Sequence, residues 1–343
     1  MHSQRDRITV ANASRLDLVR RLGPASSPQG WGQNLAFDSQ GNFLVAQESL
    51  GDRRLRWWDL RGEADLPACS PDMAIESPFC VLPGSELVVA VGVPDAAAPS
   101  PWRKRLVALS MRGGALRHEA PFPHALGALS ASADGSVVAM LVDEGRGLLW
   151  DVERWQPLRD LEATSRLFSP QGCAISPDGR LVAAAQTRNF PDEGPSGIQL
   201  WDATTGAMLC LLPMEEPIVW AVAFHPTEPL LAVGTNGDLH VVDLGERRIV
   251  RTIDCPRACS LSFSPGGSLL AVGCDSSGFD VYRFDTGARL FEHQDDNDTQ
   301  TSEAVFSPDG TCVAWGQGDA TVGLWAVKDR GPGPLGTTRS SAP

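Results

Sequence analysis

The chain has 343 residues and a net charge of −13, with 42% hydrophobic and 21% charged residues. That length suffices for a large core, and the composition excludes a disordered or fibrous chain. The acidic balance argues against nucleic acid or an anionic membrane as partner, because both select clustered Lys and Arg.

Met1 to Val10 is polar and lacks the apolar core of a secretory leader; no apolar run nears the roughly 20 residues that span a bilayer. The expected location is cytoplasmic. Leu16 to Leu22 reads as a strand that belongs to none of the units following it. Those units are a repeat. A short apolar run ending in Ala recurs seven times, with Ala at 46, 90, 139, 183, 232, 271 and 314. Turns precede most of them, as in Ser176-Pro-Asp-Gly179 and Ser307-Pro-Asp-Gly310. Pro presets the turn and Gly relieves its crowded end. An apolar run lies before each turn, and a second anchor follows each Ala. That anchor is Trp58-Asp59, Trp150-Asp151 or Trp201-Asp202, with weaker copies at Val242-Asp243, Tyr282-Arg283 and Trp325-Ala326. A further strand follows, so each unit of about 43 residues holds four short strands.

At these residues the chain resembles the WD40 repeat family. The resemblance covers roughly residues 16 to 328, and its lead-in Asn12-Ala-Ser-Arg-Leu16 is similar to bacterial members. It implies an all-β fold: a seven-bladed β-propeller of four-stranded antiparallel blades. One departure is the lack of any Gly-His dipeptide, which the family often carries ahead of each unit. The family closes its ring by lending the last blade one strand from the N-terminus. Residues 1–22 are therefore expected to supply the outer strand of blade seven, 23–329 the propeller, and 330–343 a disordered tail. Asp59, Asp151, Asp202 and Asp243 are read as the structural signature of the repeat.

Function is expected in the loops. Two units carry about seven extra residues between their second and third strands, at Pro94 to Arg105 and at Thr187 to Gly197. In WD40-like propellers this connection shares the top face with the connections between blades, where partners usually dock. Trp31, Trp102, Phe190 and Trp220 are the expected aromatic contacts there. Glu215 and Glu216 belong to an acidic rim that also takes in Glu76, Glu162, Asp254, Asp295, Asp296 and Asp298. The partner is then a protein or peptide with a basic surface, with neither nucleic acid nor membrane involved.

Chemistry is not expected. The innermost strands read as small and apolar with one ionisable residue, Glu303, and there is no phosphate loop, HExxH or nucleophile elbow. His225 replaces Ser in a turn and reads as structural. The eight cysteines form no CxxC pair and read as thiols packed as small hydrophobes, so no metal or cofactor is expected. Asp295 to Asp298 reads as a solvated loop, with a cation as the less favoured reading. The alternative function is an enzyme or small-ligand sensor with its site at the mouth of the central channel.

Overall fold

The computed structural model describes residues 5–23, 34–47, 53–63, 67–70, 73–93, 104–142, 146–162, 172–187, 196–255, 257–274, 278–294, 303–317, 319 and 321–328. The chain forms seven four-stranded antiparallel sheets. The first strand of each sheet is its innermost: Leu35–Phe37, Ala74–Val81, Leu126–Ala131, Cys173–Ile175, Val219–Phe224, Ala258–Phe263 and Ala304–Phe306. Each touches the next, and the last touches the first, so the sheets are blades of a closed propeller. The sole described helical element is one 3-10 turn, Ala13–Arg15, and no helix is long and apolar enough to cross a membrane.

The second strands explain why the ring must close. Phe43–Gln47 and Cys312–Gly316 are buried along their whole length, on both faces, and their equivalents at every position but one end residue. A blade therefore cannot hide its apolar surface alone. Seven separate cores follow, each shared by two neighbouring blades. Blades one and two, for example, meet through Val45, Trp57, Phe79 and Val107, and blades six and seven through Phe279, Val281, Trp315 and Trp325.

Blade seven takes its outer strand from Leu16–Leu22, paired antiparallel with Val322–Val327 from Leu16 opposite Val327 to Leu22 opposite Val322. Leu22 is fully buried among Leu35, Val322 and Leu324, at the contact of blades seven and one. Two exposed ion pairs, Asp17 with Lys328 and Arg21 with Asp319, flank the strand and add little beside that burial. Residues 330–343, expected to form a tail, lie outside the described residues.

Turn chemistry matches the repeat. The hydroxyls of Ser132, Ser176 and Ser307 each donate to the Asp two residues on, at 2.6 Å. Each also accepts the N–H that opens the second strand, from Val137, Leu181 and Cys312 at 2.9–3.0 Å. His225 stands at the serine position in blade five and holds the turn differently: its Nδ1 accepts the Thr227 and Glu228 N–H groups. Its ring also stacks on Phe284 and bridges to the Gly267 carbonyl of blade six.

Candidate functional site: the top face and the channel

Antiparallel order sorts the loops. Connections between strands one and two, and three and four, leave one face. Connections between strands two and three, and between blades, leave the other, called the top face. The strand ends that flank the two inserts, after Leu87–Val93 and Leu181–Gln186, lie on the top face; residues 94–103 and 188–195 are outside the described residues. Trp31, Trp102 and Phe190 lie outside the described residues, as do Asp295, Asp296 and Asp298.

Trp220 is described. It is half-buried near the start of Val219–Phe224, at the top of the channel wall. Blade four approaches it closely, for a Cβ at Gly172 would stand 3.2 Å from the Trp220 carbonyl oxygen. Glu215, in the connection ahead of that strand, is exposed.

Glu216 behaves differently from its neighbour. Its Oε1 pairs with His240 Nε2 at 2.8 Å, and His240 Nδ1 lies 3.1 Å from the Thr252 hydroxyl. Its carbonyl accepts the Ser196 hydroxyl of blade four. Glu216 therefore ties the loop to blades four and five. Two other rim carboxylates are similarly engaged. Glu76 pairs with Lys104 at 2.9 Å. Glu162 accepts the Met208 N–H with its side chain and the Trp201 indole N–H with its carbonyl. Asp254 is exposed, close to exposed Arg257.

The signature aspartates all brace the turn between strands three and four. Asp59 holds the N–H and guanidinium of Arg61, and Asp151 does the same for Arg154. Asp202 accepts N–H groups from Thr204 and Thr205, and Asp243 those of Gly245 and Glu246. Hydrogen bonds to the charged form hold the Asp59, Asp151 and Asp202 carboxyls below their ordinary value.

The channel holds one surprise for sequence reading. The inner strand of blade two begins at Ala74, ahead of the expected Phe79, and so includes Glu76. Its pairing shifts register between Glu76 and Cys80, and that bulge interrupts the pattern by which the strand start could have been read. Glu303 is half-buried just ahead of Ala304–Phe306. Its Oε2 accepts both the Asn34 and Leu35 N–H groups at 2.8 Å, joining blade seven to blade one. Burial pushes this carboxyl up to about 7, and the two hydrogen bonds oppose the rise. At the opposite mouth a cavity of about 340 Å³ is lined by Ala174, Val222, Phe224, Leu261, Phe263 and other uncharged residues. A groove of about 660 Å³ lies on that face between blades three and four, with Leu158, Arg159 and Pro177 in its walls.

The family description "WD domain, G-beta repeat" matches residues 210–243. That stretch starts in the outer strand of blade four and ends on Asp243, so the sequence unit straddles two blades. This match and the seven four-stranded blades together support a WD40 repeat protein. Over 206 residues it is 27% identical to rat echinoderm microtubule-associated protein-like 1, covering 60% of this chain and 24% of that protein. Its identity to mouse telomerase protein component 1 is 26% over 152 residues, 43% of this chain and 5% of the relative. Yeast U3 small nucleolar RNA-associated protein 12 is 27% identical over 99 residues, 29% of this chain and 10% of the relative. The chain thus spans about a quarter or less of the length of these three relatives. WD40 propellers are typically protein-interaction scaffolds without catalysis.

Proposed function

We propose that this WD40 chain is a non-catalytic, cytoplasmic scaffold that binds a protein or peptide across the top of blades two to five. The observation that carries the reading is the engagement of Glu303, the carboxylate at the inner strands. It holds two backbone N–H groups and so joins blade seven to blade one at the wall of the channel. Loops on a rigid ring are then the place for recognition. Trp220 supplies a half-buried aromatic anchor and Glu215 an exposed charge facing a basic partner.

The test is to isolate the natural partner on the intact chain and measure variant binding over a salt series. Trp220→Ala is expected to cost about 2 kcal/mol of binding. Glu215→Lys is expected to slow association at low salt and to matter less as screening rises. Glu216 is unsuited to this test because its reversal would break the His240 contact. Normal binding by Trp220→Ala, with crosslinks on the groove at Leu158 and Pro177, would overturn the top-face reading.

A further inference from the structure

One cluster of chemistry-bearing side chains lies at the top-face end of the contact between blades five and six, apart from the residues read as partner contacts and from the channel. Cys274 ends the second strand of blade six, Leu269–Cys274, and lies opposite Gly278 of the third strand, Gly278–Arg283. Asp280 and Tyr282 follow Gly278 at the two-residue period, so all four positions share one face of the blade. That face meets blade five, where Cys255 follows the outer strand Arg248–Ile253 and packs in one core with Tyr282. Cys255 Sγ, Cys274 Sγ and a carboxylate oxygen of Asp280 all lie within 4.8 Å of one another.

We propose that Cys255, Cys274 and Asp280 form a binding site for a soft divalent cation, and that zinc is the ion their donors suit. Two sulfurs with one carboxylate oxygen select zinc over the hard cations calcium and magnesium. Tetrahedral zinc with sulfur ligands near 2.3 Å places those ligands roughly 3.5–3.8 Å apart. The observed spacing reaches that arrangement by an inward shift of about 1 Å or less. Gly278 contributes no side chain, and a cavity of about 190 Å³ opens beside the three ligands, lined also by Glu292, His293 and Gln294. It supplies the room for a fourth ligand.

The surroundings are those of a ligating carboxylate. Tyr282 donates its hydroxyl to Asp280 Oδ2 at 2.9 Å, and Arg289 reaches the same oxygen at 3.4 Å. The Tyr282 hydroxyl also lies within hydrogen-bond reach of Cys255, so it stands between a thiol and the carboxylate, and with Arg289 it fixes the orientation of Asp280. Two thiolates and one carboxylate around a dication leave one negative charge, which the Arg289 guanidinium, shared with Glu292, offsets in part. Asp280 is buried, whereas Arg289 is half-exposed. A cation on the opposite side completes what that distant guanidinium supplies only weakly.

The test uses the full chain, purified under reducing conditions and titrated with zinc against a chromophoric chelator, then with cobalt as a spectroscopic probe. The expected result is about one zinc per chain, bound below micromolar Kd. Cobalt should give a thiolate-to-metal charge-transfer band with the strong visible bands of a tetrahedral site. Cys255→Ala with Cys274→Ala should lose both signals, while Cys69→Ala, an exposed thiol, should keep them. Tyr282→Phe leaves the ligands in place and should weaken zinc roughly tenfold or more. If the wild-type chain retains no zinc, or if the double variant retains it, the proposal fails. A Cys255–Cys274 disulfide in freshly reduced, zinc-equilibrated protein would overturn it equally, and this wild-type readout does not depend on any variant folding.

Discussion

Glu303 makes the stability of the ring depend on pH in an unusual direction. Its carboxyl has an ordinary value of 4.5 and is pushed up to about 7 in the folded chain. The folded state therefore holds the proton more tightly than the unfolded state between those values. Stability from this group is fully present below pH 4.5 and is lost as pH rises through 7. The difference of about 2.5 pH units corresponds to roughly 3 kcal/mol, trimmed to about 2–3 because the group is only half-buried. The geometry accommodates the proton, since both N–H groups bind Oε2 and leave Oε1 to carry it. Glu303→Gln keeps an oxygen for the two donors and cannot ionise. Denaturant midpoints at pH 5 and pH 8 are the assay. The wild type should lose about 2–3 kcal/mol more than the variant across that interval. Other carboxylates act equally in both proteins and cancel in the comparison. Parallel pH profiles for the two proteins would refute the reasoning.

Leu22→Ala should destabilise the chain by about 2–5 kcal/mol in thermal or denaturant unfolding, because it opens a cavity at the contact of blades seven and one. Deletion of residues 1–22 should lower the melting temperature and broaden the size-exclusion peak, since it exposes the edge strand Val322–Val327. Gly267→Ala should cost more than about 1 kcal/mol: φ is +76° there and a Cβ would overlap the His225 imidazole. Gly266→Ala, with nothing within 4 Å of the new methyl, is the matched control and should change unfolding by less than about 0.5 kcal/mol. Ser132→Ala should raise the Asp134 carboxyl from about 2 part of the way toward 3.8 in an NMR titration, because the Ser132 hydroxyl makes the largest single contribution holding it down, with Ser136 adding two more hydrogen bonds. The Asp134 contribution to stability is present above 3.8 and lost as pH falls toward 2, so the variant should lose it at higher pH.

The repeat made the architecture legible. Local rules suffice for a hairpin: Ser176-Pro-Asp-Gly179 sets a turn, and the apolar runs on either side must bury both faces. Repeating that unit seven times leaves stacking of blades as the way to cover the apolar faces, and the seven inter-blade cores are the result. The role of His225 was readable for the same reason, since its bonds to Thr227 and Glu228 stay within one turn. Roles that depend on chain segments far apart were not readable. Glu303 meets Asn34 across 269 residues of sequence, and Glu216 meets His240 across 24. The sequence marks Glu303 as the one ionisable residue of the inner strands and Glu216 as part of an acidic rim, but it does not show the partner that either one holds. Cys255, Cys274 and Asp280 lack the close spacing of a metal motif because they come from two blades, and only the docking of those blades brings their donors within 4.8 Å. Period and turn chemistry are written into contiguous residues, whereas convergence of side chains is decided by which faces the ring presses together.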